Sequence, residues 1–160
     1  MEWQSKWMSP SDGRIRDFDE IISFIRDNKE YSIYVGCDSH SAKGTQSKYL
    51  FAIVICLIST DRSKSGNKYF YSRGVHKRTF SSLQARLTEE VACSAKIAID
   101  INRIFPNKVI TLHADSSNDS KNKSAQFTEM FRRWAMGIGC KFASKPHAWA
   151  STSIADKHSK

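Results

Sequence analysis

Nowhere does this 160-residue sequence keep an apolar run near the ~20 residues that a bilayer-spanning helix needs, which argues against a membrane protein. The opening MEWQSKWMSPSDGR carries no apolar core of the kind a secretory leader has. Cysteines are few and scattered: Cys37, Cys56, Cys93 and Cys140 form no CxxC pair, and their neighbours are mostly apolar. That pattern excludes a cysteine-based zinc site or a disulfide framework and predicts reduced, buried thiols. Together these absences point to the cytoplasm. No two histidines stand at HxxxH spacing, so zinc has no helical ligand pair. No glycine-rich phosphate loop occurs, which excludes the common ATPase class. Internal repeats, low-complexity blocks and long linkers are missing too, so the chain reads as one globular domain.

What the sequence does have is positive charge. Lys and Arg number 25 against 16 Asp and Glu, a formal net charge of +9. An excess of that size suits a polyanionic partner, because phosphate contacts drive non-specific nucleic-acid binding. No strongly basic amphipathic helix favours an anionic lipid surface instead.

Periodicity divides the chain into elements. Trp3 and Trp7, four apart, would share one face of a short N-terminal helix that packs back onto the domain. Asp17–Asn28 carries Phe18, Ile21, Ile22 and Ile25 at helical spacing with acids in its first turn. YSIYVGCDSH (Tyr31–His40) alternates like a strand. The polar turn SAKGTQS leads to KYLFAIVICLIS, apolar throughout and therefore covered on both faces. The loop TDRSKSGN and the strand KYFYSRGV complete an antiparallel meander. From Thr79 to Phe105 the residues Leu83, Leu87, Val91, Ala98, Ile101 and Phe105 trace one helical face, ended by Pro106. KVITLHAD is a fourth strand, Lys123–Gly137 a helix bearing Phe127, Met130, Phe131 and Trp134, CKFAS a fifth strand, and Ala148–Lys157 a short last helix. Three strands, helix, strand, helix, strand, helix describe an α/β sheet of mixed direction.

On this map four acids stand at element ends. Asp38 closes the first strand and Asp115 the fourth; if those strands pair in parallel, both emerge at one rim of the sheet. Two readings are open for Asp38: a turn opener, since Asp and Ser are common after strands, or chemistry on a rigid platform. In the long helix, with Leu87 as reference and ~100° per residue, Glu90 falls roughly 60° from the core direction and Glu89 roughly 160°. Glu90 therefore borders the packed face and Glu89 faces solvent, although a slip in register would exchange them. Asp156 sits on the last helix, where Ala148, Ser151 and Ala155 permit close approach to the sheet. It also lies near the chain end, where fraying is expected. Two carboxylates ~4 Å apart repel by roughly 4 kcal/mol at an effective dielectric of 20, so four converging acids need cations. Hard oxygen donors suit Mg²⁺ or Mn²⁺, and two such ions can serve phosphodiester hydrolysis.

The order Asp38, Glu90, Asp115, Asp156 resembles the ribonuclease H-like superfamily. More narrowly, VGCDSH, LTEEV, TLHAD and the closing KPHAWASTSIADKHSK are similar to the YkuK family of ribonuclease H-like proteins. The closing string is the most specific of these, and the likeness covers residues 31–160, with 1–30 as an N-terminal extension and helix packed on that domain. It implies a five-stranded mixed sheet, ordered 3-2-1-4-5 and flanked by helices, and a metal-dependent nuclease. It also implies that Asp38 bridges two metals, that Glu90 binds one or orients its water, and that Asp115 and Asp156 complete the shells. The rival of a different class is a non-catalytic nucleic-acid-binding module on the same scaffold. Within the enzyme class, cleavage of the RNA strand of a hybrid, a 3′ exonuclease and a Holliday-junction resolvase share this chemistry, and a resolvase would need a homodimer.

Around the acids, His113 shares a strand with Asp115, two residues away and on the same side; it is an auxiliary group at the metals or a hydrogen-bonded sheet histidine. His40 and His147 are loop candidates for proton transfer or a phosphate contact, and His158 neighbours Asp156. Lys145, Lys157 and Lys160, with Lys121 and Lys123, form a basic rim for phosphates, each singly an ordinary solvated lysine. Trp149 stacks on a base or packs on the sheet. A Ser–His–Asp hydrolase built from Ser39, His40 and Asp38 fails, because adjacent strand residues do not face one another.

Overall fold

The computed structural model describes residues 6–42, 44, 48–61, 66–76 and 79–160. The first helix, α1 (Phe18–Asp27), begins where a capping box forms. The Glu20 amide donates to Asp17 Oδ1 at 3.0 Å, and the Asp17 amide donates to Glu20 Oε2 at 3.1 Å. Two otherwise orphaned helix donors are thereby satisfied, and the apolar stripe Ile21, Ile22 and Ile25 is buried. The meander follows as β1 (Tyr31–Ser41), β2 (Tyr49–Ser59) and β3 (Lys68–His76), antiparallel throughout. Residues 51–57 of β2 are all buried, as a wholly apolar central strand requires.

Helix α2 (Leu83–Ile104) starts at the N-cap Ser82, whose side chain accepts from the Ala85 amide. Strand β4 (Ile110–Ser117) pairs in parallel with β1, α3 (Ala125–Gly137) returns, and β5 (Lys141–Lys145) pairs in parallel with β4. The five strands lie in the order β3-β2-β1-β4-β5. The chain closes with a π-helical stretch, Ala150–Ala155, running directly into α4 (Asp156–Ser159). Among the described residues no helix is long and apolar enough to cross a membrane.

Alternation along the strands assigns the two faces. Ile33, Val35 and Cys37 of β1, with Ile53 and Ile55 of β2, join the large core beneath α1, α2 and α3. Val54 and Cys56 face the other way and pack with Ala150 and Ala155 of the closing segment. Gly36 pairs with Val54 and Asp38 with Ala52, so both belong to this second face.

Three details depart from the sequence reading. Trp7 is fully buried in an antiparallel bridge with Arg16 rather than on a helix. Next to it, Met8 exchanges backbone hydrogen bonds of 2.9 and 2.8 Å with Tyr71; the unpaired edge of β3 offers this segment partners that a lone helical turn lacks. Trp3 lies outside the described residues. Met130 is exposed, while Phe131 fills the buried face of α3. His40 is part of β1, not of a loop, because the β1–β2 ladder continues to Ser41↔Tyr49. The same ladder rules out the turn reading of Asp38, which sits within the strand opposite Ala52.

Candidate metal centre

The site begins where two parallel strands part. The β1–β4 ladder ends at Gly36↔His113, while β1 continues along β2 alone. Asp38 and Asp115 each lie two residues beyond that last pair, at the same rim of the sheet. An irregularity in β4 between His113 and Ser117 breaks strict alternation there, so the rule that put His113 and Asp115 on one side does not carry through this stretch.

On the second face, the closing segment lies directly on β1. A Cβ built on Gly36 would stand 2.7 Å from the Ser151 nitrogen and 2.8 Å from the Ala150 carbonyl carbon; only glycine permits this approach. Ala148, Ser151 and Ala155 are fully buried against the sheet. His113 Nδ1 accepts a 3.0 Å hydrogen bond from the Ala150 amide. Burial holds its pKa down to about 4, so the imidazole is neutral at neutral pH. Tyr34 and Trp149 flank that ring, with centroids at 5.3 and 5.0 Å, and Trp149 thus packs on the sheet.

This packing delivers α4 to Asp38. Ser159 Oγ donates to Asp38 Oδ2 at 2.7 Å, and His40 Nδ1 lies 3.1 Å from the same oxygen. Asp38 is 4% exposed. Burial raises its pKa most strongly, Ser159 and His40 pull it down, and the charges of Asp115 and Asp156 push it up; the net direction is upward. Asp156, partly exposed, meets Lys160 Nζ at 2.6 Å and His40 Nε2 at 3.6 Å. The terminal helix packs onto the sheet: Ser159 is buried, and His158 stacks on Tyr71 with ring centroids 3.7 Å apart.

Glu90 arrives from the opposite side of the sheet, on α2. It is 3% exposed and accepts a 2.6 Å hydrogen bond from Ser39 Oγ, while Arg86 Nη1 stands 3.7 Å away. Burial, reinforced by the charge of Asp38, pushes its pKa up to about 8 against the opposing Ser39 and Arg86. Glu89 is not the solvent-facing residue that helical phase predicts: it is partly buried, with Oε1 3.6 Å from His76 Nε2. The end of β3 overhangs that flank of α2. Asp115 is paired with Lys145 Nζ at 2.5 Å.

Asp38, His40 and Asp156 each offer one ligand atom, and these lie within 4.8 Å of one another. Two carboxylates and an imidazole suit a divalent cation of hard or borderline character, and the raised pKa of Asp38 marks a carboxylate that a cation would stabilise. The charges of Asp115 and Asp38 bear on Glu90, and those of Asp115 and Asp156 on Asp38, but among the described residues Glu90 and Asp115 are not part of the group whose ligand atoms converge. Each of the four acids also has a basic neighbour within 4 Å: His40, Arg86, Lys145 or Lys160.

The remaining candidates are not in that group of ligands. Lys121 and Lys123 line a cleft of about 870 Å³ with Ser82, Gln84, Asn122 and Phe127, between the start of α2 and the β4–α3 connection. Lys157 and His147 are exposed. Sequence reasoning missed Arg86 and Ser159. The i,i+4 spacing of Arg86 and Glu90 was a readable signal; nothing in the sequence marked Ser159, whose partner is 121 residues away.

A family model described as ribonuclease H-like matches residues 17–160. No curated protein and no solved structure matches the chain.

Proposed function

The chain belongs to the ribonuclease H-like family, and on that premise we propose that it is a divalent-metal-dependent nuclease acting on nucleic-acid phosphodiesters. The observation that carries this reading is the meeting of Asp38, His40 and Asp156, whose ligand atoms lie within 4.8 Å of one another, on a chain whose net charge is +9. Asp38, Glu90, Asp115 and Asp156 would hold two Mg²⁺ or Mn²⁺ ions, with His40 beside them. When bound, such ions supply activation of water and stabilisation of the charge that develops on a phosphodiester undergoing displacement.

The protein's own groups do the rest. Asp38, set in the middle of a paired strand, fixes the position around which the others assemble. Ser39 and Arg86 orient the Glu90 carboxyl through its second coordination sphere. Lys145, Lys157, Lys121 and Lys123 offer ammonium groups along the rim for the phosphates of an RNA–DNA hybrid, or of structured DNA or RNA.

Labelled single-stranded RNA, single-stranded DNA, duplex DNA, RNA–DNA hybrid and a four-way junction, each incubated with Mg²⁺, Mn²⁺ or chelator, test the proposal. Metal-dependent cleavage lost in Asp38→Asn is expected, and the preferred substrate names the nuclease type. One observation favours a second reading, a non-catalytic nucleic-acid-binding module: each acid already has a basic side chain beside it. Binding of these substrates with no cleavage by the wild type under any metal would establish that module instead.

A further inference from the structure

We propose that His40 is a metal ligand through Nε2, and that this nitrogen gives the centre a preference for a Mn²⁺-class transition ion over Mg²⁺. The inference rests on the metal-centre part of the function proposed above and adds the identity of one donor and the class of ion it selects.

Three observations converge on it. Asp38 and His40 are two apart on β1, so their side chains share a face of the sheet. That is the face covered by the closing segment that brings Asp156. The ligand atoms of all three residues fall within 4.8 Å, with His40 Nε2 and Asp156 Oδ1, 3.6 Å apart, placed to share an ion while Asp38, on the Nδ1 side of the ring, orients it.

Hydrogen bonding then separates the two ring nitrogens. Ser159 has one hydroxyl proton and directs it to Asp38 Oδ2 at 2.7 Å. Toward His40 Nδ1, also 2.7 Å away, the same hydroxyl presents a lone pair. The other neighbour of Nδ1 is the Asp38 carboxylate oxygen at 3.1 Å, again an acceptor. Nδ1 therefore carries the ring hydrogen. In a metal-bound ring the lone pair is then the one on Nε2, which faces Asp156 Oδ1 at 3.6 Å. A ring fixed through one nitrogen by a carboxylate and a hydroxyl, with the other nitrogen aimed at a second carboxylate, is the arrangement that orients histidine toward a metal. The His40 side chain is 39% exposed, so an ion from solvent can reach it.

The donor set then argues for the ion. Mg²⁺ holds its waters tightly and favours oxygen, whereas imidazole suits first-row transition ions and carboxylate suits Mn²⁺ as well. A centre with both donor types is matched by Mn²⁺.

Calorimetric titration of Mn²⁺ and of Mg²⁺ into the full-length protein, with no nucleic acid present, reads the preference. Wild type is expected to bind Mn²⁺ at least about tenfold more tightly than Mg²⁺. His40→Asn is expected to lose about tenfold or more in Mn²⁺ affinity while Mg²⁺ binding changes little. Pulsed electron paramagnetic resonance of Mn²⁺ bound to wild type gives a direct signature that does not depend on a variant folding: modulation from a bound histidine nitrogen, altered when histidine is isotopically labelled. Bound Mn²⁺ with no nitrogen modulation, or equal affinities for the two ions that His40→Asn leaves unchanged, overturns the inference while the nuclease reading stands. Absence of any divalent binding overturns both. Nitrogen-coordinated Mn²⁺ in a protein that cleaves nothing upholds the inference and removes the nuclease.

Discussion

Gly36 and Ser151 touch backbone to backbone: a methyl group on Gly36 would stand 2.7 Å from the Ser151 nitrogen. This contact sets how near the closing segment lies to β1, and through it where Asp156 stands relative to Asp38. The colliding atoms are main chain, so no side-chain rotation relieves the clash. Gly36→Ala is expected to destabilise the protein by about 1–3 kcal/mol, the range for overpacking a tight site, and to weaken divalent-ion binding. Urea denaturation measures the first effect and calorimetry the second; a variant with wild-type values in both would remove Gly36 from the architecture of the site.

Glu90 gives the metal-free protein a pH dependence of definite sign. Its pKa is raised to about 8 in the folded protein against roughly 4.3 for an unperturbed glutamate. Below the unfolded value the residue is protonated in both states and contributes no penalty. As pH rises toward 8 the unfolded chain releases the proton while the folded protein retains it, so stability falls. Glu90→Gln, neutral at every pH, is expected to be more stable than wild type above about pH 8 by several kcal/mol, and to converge with it near pH 4. Thermal melts in chelator across this range check the sign. With divalent ions present the order is expected to reverse, because the variant loses a ligand.

Ser159 ties the last helix to Asp38 at 2.7 Å. Ser159→Ala removes a hydrogen bond to a buried, charge-bearing partner, and a loss of about 1–3 kcal/mol is expected. Hydrogen exchange of the amides in 150–160 is expected to accelerate selectively, since this bond and the His158–Tyr71 stack hold α4 to the sheet. Uniform acceleration throughout the chain would contradict that local role.

Lys160 Nζ lies 2.6 Å from Asp156 Oδ2, where it competes with any cation for that carboxylate. Lys160→Ala is expected to tighten divalent binding modestly, on the order of twofold to fivefold, as suits a single exposed ion pair. Nucleic-acid affinity is expected to fall slightly with the lost charge. Titrations of Mn²⁺ and of a labelled oligonucleotide separate the two effects; weaker metal binding would show that Lys160 orients Asp156 rather than competing for it.

How much of this was written in the sequence differs from element to element. Asp17 and Glu20 mark the start of α1, and Pro106 marks the end of α2, because caps and breakers act on the neighbouring backbone alone. Alternation in residues 31–40 and the apolar run of β2 placed those strands for a similarly local reason: each exposes a face that must be buried. Helical phase put Glu90 at the edge of the packed side, and it is buried there. The same phase sent Glu89 to solvent, and β3 covers it instead.

What local pattern could not carry was contact across distance. The divergence of β1 from β4 after Gly36, the approach of Ser151 to that glycine, and the hydrogen bond from Ser159 to Asp38 all join segments that share no periodicity. Nor did local pattern show that Asp38 and Glu90 come from opposite faces of one sheet. The sequence by itself determined the elements and the acids they bear. The tertiary structure decided which atoms meet, because only packing against the sheet fixes the faces, the approach and the partners of each charge.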